Sequence, residues 1–318
     1  MIKLQRIIIE SWPIKPIINW SKKVVLPGFE GIPLYDVIVF FIKQTKEIGL
    51  NERAASVAFN FLMAIPPLFI FLFTTLSLLP DSRKLYKEIL ILLKTVVPDN
   101  RTYTMIKNVT DDFFSAGTGT LSFGLLLALY FGSNATITLM RTFRKSMLHI
   151  ELENRNFIQI RLAAIRLTFI IVLLIIATIL IMFTQNLLIV YISDWLQIKN
   201  HSLDWVIAVT QVILTFSLIF FAIGMIYRHA PHVQKKWKIR TPGSIVATVL
   251  IILFSYLFSY WVNNIATYNK VYGSLGSILI LMFLVFVNSL VLLIGFELNV
   301  SINSIKSISE KRNNISHE

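Results

Sequence analysis

A chain of 318 residues with 55% hydrophobic and 15% charged side chains and a mean hydropathy of +0.70 lies outside the composition of soluble domains, where about 25% of residues are charged. The formal net charge of +13 raises nucleic acid as a partner, while the lack of cysteine excludes disulfides and thiolate metal sites. Runs longer than the roughly 18 mostly apolar residues a bilayer-crossing helix needs recur along the chain, so the sequence predicts an all-α integral membrane protein with six transmembrane helices plus interfacial amphipathic helices.

The first residues, "MIKLQRIIIESWPIKP", hold only a short apolar stretch before Glu10 and Pro13, too short for the core of a secretory signal. "YDVIVFFIKQTKEIGLNER" (35–53) begins too apolar and ends too charged to span, and is expected to be an interfacial helix. The spans follow, near Ala54–Leu79, Leu121–Leu139, Leu162–Leu187, Trp205–Tyr227, Gly243–Ile265 and Ser274–Leu298. Between the first two, "LYKEILILLKTVV" (85–97) carries apolar residues at helical spacing and is stopped by Pro98, the pattern of a second amphipathic helix. Either interfacial helix would serve equally well as a cap on the bundle. The expected organisation is a segment 1–53, a six-helix membrane domain 54–299 and a polar tail 300–318.

Charge placement sets the expected orientation. Eight Lys and Arg precede the first span, six lie between Arg141 and Arg166 and five between Tyr227 and Arg240, whereas the loops after spans three and five hold one each, Lys199 and Lys270. Basic loops stay cytoplasmic, which puts both termini inside. The segment 80–120 is then external; its six basic residues are nearly balanced by Asp81, Glu88, Asp99, Asp111 and Asp112. The basic excess therefore reads as attraction to anionic lipid headgroups at the cytoplasmic face, worth about 1 kcal/mol per residue, and nucleic acid is not expected as a partner. An oligomer is compatible with the sequence.

No G-x-S-x-G, P-loop or H-E-x-x-H pattern occurs, and of the five histidines only His229 and His232 are close together, two ligands where zinc takes three or four. No catalytic residue, metal site or cofactor is expected. The informative positions are polar or conformational. Asn60 and Asn134 fall in spans, as do Gln185 and Asn186; Pro66 and Pro67 remove two amide donors from span one. "YNKVYGSLGS" (268–277) places Tyr268, Asn269, Tyr272, Gly273, Ser274 and Gly276 before span six, with small residues at spacings of three and four, as at tight membrane-helix crossings. Gly295, Glu297 and Asn299 follow at its far end. Glu297 is the one carboxylate in a span's apolar run, with Arg141, Arg144, Arg166 or Arg228 as candidate partners, or else an ion-coupling role. The proline and glycine positions fit a substrate pathway or a packed kink beside a tight crossing.

The segment 227–299 resembles the C-terminal half of the YihY/BrkB family of bacterial inner-membrane proteins. The likeness is carried by Tyr227, Pro231, Pro242, Gly243, Tyr268, Asn269, Tyr272, Gly273, Ser274, Leu275 and Gly276, then Gly295, Glu297, Leu298 and Asn299. "AASVAFNFLMAIPPLF" (54–69) resembles the family's first span more loosely, with Phe59, Asn60 and Ala64 departing from its usual residues, as do Phe283 and Phe286 later. The resemblance implies six membrane helices, cytoplasmic termini and no settled biochemical activity. Some members carry the older label ribonuclease BN, others virulence or serum-resistance factor; the H-x-H-x-D-H cluster of a metal-dependent tRNA nuclease is not found, the nearest stretch being "RHAPHV". The functional expectation is a transporter or flippase-like passage for a lipid or another amphipathic envelope molecule, with a noncatalytic membrane scaffold or envelope-integrity factor as the alternative.

Overall fold

The computed structural model describes residues 15–77, 82–83, 86–87, 89–90, 100–115, 118–147, 150, 152–174, 204–233, 236–265 and 274–315. Among them there is no strand, only an isolated antiparallel bridge between Leu152 and Val233. The helices are α1 (Lys15–Ser21), α2 (Leu34–Ile48), α3 (Leu50–Ser77), α4 (Asn100–Phe114), α5 (Thr118–Ser146), α6 (Phe157–Leu174), α7 (Asp204–His229), α8 (Pro242–Ile265) and α9 (Ser274–Ile315). Six of them, α3 and α5 to α9, are long and apolar enough to cross a membrane.

The stretch 35–53 is two helices, not one. Gly49 adopts a left-handed conformation with φ 67°, ending α2, and a Cβ there would meet the Glu52 carboxylate at 2.5 Å. The chain turns, and Arg53 joins the first turn of the first span. That span, α3, runs unbroken through Pro66 and Pro67, so the missing amides do not split it. Most of 85–97 lies outside the described residues. In the same inter-span segment the structure has a helix the sequence reading did not assign, α4, which packs against α3 and α9 and buries Thr110. Tyr86 donates a hydrogen bond to Asp111 of α4. The tail expected from residue 300 continues α9 as helix to Ile315.

Helix α9 is the centre of the bundle. It packs along α3 on one side and α8 on the other and also meets α2 and α5; α3 lies against α5, and α7 against α8. Helices α5 and α6 are joined by a buried Thr136–Thr168 hydroxyl pair at 2.8 Å and by Arg161 Nη1 donating to Asn134 Oδ1 at 2.6 Å. The main core gathers where α3 begins and α5 and α7 end, the end richest in Lys and Arg and called here the basic end. Phe143 of α5 stacks on Phe296 of α9 with centroids 3.6 Å apart, and Tyr227 and Trp237 close around them. A smaller cluster of Phe29, Val37 and Ile302 seats α2 on the extension of α9.

Candidate functional site

Successive turns of α9 point different residues at different neighbours, because residues two apart on a helix are about 200° apart around its axis. Gly295 and Asn299 face α8; Glu297 faces the other way, toward α2, α3 and α5.

The α8 side is built around a helix start. In "TPGS", Thr241 precedes Pro242, whose missing amide is harmless at a first helical position. The Ser244 amide donates to Thr241 Oγ1 at 3.2 Å and the Thr241 amide to Ser244 Oγ at 3.1 Å, a reciprocal cap. One amide of the first turn remains, that of Gly243, and Asn299 Oδ1 of α9 accepts it at 2.8 Å while Asn299 Nδ2 donates to Thr241 Oγ1 at 2.9 Å. This approach requires glycine on both helices. A Cβ on Gly295 would stand 2.6 Å from the Gly243 carbonyl oxygen and 2.5 Å from the Tyr227 hydroxyl; one on Gly243 would collide with the Gly295 carbonyl oxygen. The Tyr227 hydroxyl, fully buried, donates to the Leu292 carbonyl at 2.7 Å.

On the opposite side Glu297, 1% exposed, is the hub of a polar cluster. Gln44 Nε2 of α2 donates to Glu297 Oε2 at 3.0 Å and also to the Ser146 carbonyl, the last of α5, at 3.1 Å. Arg53 Nη1 of α3 donates to Ser146 Oγ at 2.8 Å and lies 3.4 Å from Glu297 Oε1, to which Ser146 Oγ donates in turn. Four helices thus meet through four side chains. The Gln44 Oε1 atom is buried without a partner among the described residues.

Beside this cluster, α5 ends in a recess of about 570 Å³ lined by Arg141, Arg144, Lys145, Met147, Ile150 and Leu152. The adjoining loop carries His232, buried, with Nε2 unpartnered among the described residues. Burial, then the cations of Arg155 and Arg144, push its imidazole below the usual histidine range, with Glu153 opposing them. His229 Nδ1 lies 2.9 Å from the Met225 carbonyl of its own helix.

The residues singled out from sequence fall in different places. Glu297 and Asn299 are buried and bonded, and Gly295 forms the tight crossing. Pairing of Glu297 with a basic residue is present, but the partner is Arg53, not Arg141, Arg144, Arg166 or Arg228, because the turn at Gly49 carries the start of α3 under the end of α9. Asn60 turns its amide back onto the Ser56 carbonyl of its own helix at 2.9 Å. Pro66 is exposed and Pro67 buried. Ser274 begins α9 and Gly276 is buried in its first turn; Tyr268, Asn269, Tyr272 and Gly273 lie outside the described residues, as do Gln185 and Asn186. Gln44, Arg53, Ser146 and Thr241 were not picked out. Arg53 gave no signal in the sequence, because it stood just ahead of the expected span at Ala54; the structure begins that helix at Leu50 and so brings the charge inside it.

Six apolar spans knit at one end by buried polar side chains define a multi-pass helical membrane protein. The chain belongs to the virulence factor BrkB family, whose model matches residues 41–317. It is 26% identical over 278 residues to the "Putative ribonuclease-like protein YfkH" of Bacillus subtilis strain 168, covering 85% of this chain and 96% of that one. To the UPF0761 membrane protein IL2447 of Idiomarina loihiensis it is 29% identical over 115 residues, 35% of this chain and 40% of the other. No solved structure matches it.

Proposed function

We propose that the protein is a noncatalytic transporter of the flippase type for a lipid or another amphipathic envelope molecule, set in a bacterial inner membrane with its basic end and both termini in the cytoplasm. The observation that carries this reading is the Glu297 cluster. Stability alone is a poor reason for it, because apolar residues of similar volume in place of a buried ion pair are often neutral or stabilising by about 1–4 kcal/mol. Ionisable side chains within spans concentrate on pathways and gates. Here a few directional bonds hold α2, α3 and α5 to α9. A closure of that kind can be released at one partner and remade. The noncatalytic part of the reading rests on Arg53, Ser146, Glu297 and the Gln44 amide nitrogen being bonded to one another.

A second reading, a membrane scaffold, is favoured by the aromatic contacts of Phe143, Phe296, Tyr227 and Trp237 within the main core at the basic end. The two separate in vesicles reconstituted with the purified protein and a trace of tail-labelled fluorescent phospholipid. A membrane-impermeant reductant bleaches only the outer leaflet of protein-free vesicles. With the transporter present the inner-leaflet signal should also decay, and Glu297→Ala should change the rate of that decay. A trace identical to protein-free vesicles would leave the scaffold.

A further inference from the structure

The recess at the end of α5 gathers three cations beside the edge of the core. Arg141, Arg144 and Lys145 sit at i, i+3 and i+4, so all three project from one face of the last turns. Like charges at this spacing repel one another. All three are exposed, and among the described residues no carboxylate lies within ion-pair distance of any of them: Glu297 pairs with Arg53, Glu153 with Arg155 and Glu30 with Lys306. The carbonyls of the helix end do not neutralise them either, since that of Arg144 accepts the Met147 amide and that of Ser146 accepts Gln44. The rest of the lining is apolar, from Met147, Ile150 and Leu152. The position along the helix matters as well. The cations occupy the last six residues of the 25-residue span Ser122–Ser146, and because about 20 helical residues already cross the hydrocarbon, the last turn of such a span falls at headgroup level.

Three cations and three apolar side chains lining one recess at that depth match a molecule with an anionic head and an acyl tail. We propose that this recess is a discrete site for the phosphate of an anionic membrane lipid, with Arg141, Arg144 and Lys145 holding the phosphate oxygens and the Met147, Ile150 and Leu152 side covering the start of the tail. A free soluble anion would use the cations and leave the apolar side idle. The site holds for a scaffold as well as for a transporter.

The test is native mass spectrometry of the full-length protein in neutral detergent, titrated with phosphatidylglycerol, with phosphatidylcholine as the zwitterionic reference and inorganic phosphate as the competitor, all at one ionic strength. One phosphatidylglycerol should bind in preference to phosphatidylcholine. At about 1 kcal/mol per basic residue, each of Arg141→Gln, Arg144→Gln and Lys145→Gln should weaken it about fivefold, and the triple variant on the order of 100-fold. Lys23→Gln/Lys43→Gln/Lys46→Gln, which removes the same charge from exposed positions before α3, should bind as the parent does. An equal loss in that control overturns the site in favour of diffuse attraction. So does phosphatidylcholine binding as well as phosphatidylglycerol, or millimolar phosphate displacing the lipid. The single substitutions carry the result if the triple variant does not fold.

Discussion

Replacing Gly243 by alanine adds one carbon at the point where α8 and α9 touch. On the present backbone that carbon would overlap the Gly295 carbonyl oxygen and stand 2.6 Å from Asn299 Cγ. Neither neighbour is the free end of a flexible side chain: one is backbone in the middle of α9, the other is held by bonds to Gly243 and Thr241. The helices must separate, which lengthens the Asn299–Gly243 bond and loosens the packing of Ala247 and Tyr227 over Gly295. Overpacking of this kind costs about 1–3 kcal/mol, and a weakened buried hydrogen bond adds about 1 kcal/mol. Alanine's advantage over glycine inside a helix, about 1 kcal/mol, offsets part of this. The net expectation is destabilisation by about 1–3 kcal/mol, read as a lower melting temperature of Gly243→Ala in matched detergent, with Gly295→Ala behaving alike. Leu253→Ala, at a half-exposed position on the same helix, is the reference. If Gly243→Ala melts with the parent while the bundle stays intact, the crossing is not as close as described and the reasoning fails.

Removing either member of the Arg53–Glu297 pair should destabilise by about 3–5 kcal/mol, with the double variant Arg53→Ala/Glu297→Ala less affected than the sum of the two; strictly additive melting shifts would show that the two side chains are not coupled. His232 titrates in the opposite sense to a paired histidine. Burial with Arg155 and Arg144 nearby depresses its folded value, despite Glu153, so its contribution is complete above the unfolded value of about 6.5 and is lost as pH falls through the lower folded value. Between pH 7.5 and 5 the parent should therefore lose more thermal stability than His232→Asn, and equal losses would assign the effect to other groups. The orientation is checked with single cysteines, which have no background in this chain: labels applied to intact cells should reach Ser202→Cys and Thr267→Cys but not Lys238→Cys or Glu310→Cys, and the reverse pattern would invert the proposed topology.

The spans were legible because bilayer-crossing helices are fixed by length and hydropathy, which the sequence displays directly. The contacts between them were less so. A sequence shows small residues at helical spacing within one segment, and on that ground Gly273 and Gly276 stood out. The crossing described here pairs Gly243 with Gly295, one glycine from each of two helices, a pattern invisible until the partners are known. Glu297 was recognisable as a buried charge from its apolar surroundings. Its partner was not, because Arg53 read as the end of an interfacial helix, and only the left-handed turn at Gly49 places it inside the bundle. Helix α4 was missed because its polar composition outweighs the few residues it buries, and Asn60 attracted notice as a span amide though its own helix satisfies it.

Helix α9 also has a mechanical meaning. Its 42 residues extend for about 63 Å, roughly twice the hydrocarbon thickness of a bilayer, and the sequence from Ser274 to Ile315 contains no proline at which such a rod could bend. Gly295, where it rests most closely on α8, lies near its midpoint, with about 30 Å of helix on either side. The contact is therefore placed as a fulcrum between equal arms. A tilt of about 10° around it would carry the two tips about 5 Å in opposite directions, so that the start of the helix and its far end move as the seats of a see-saw, with the Glu297 bonds close to the pivot where leverage against them is greatest.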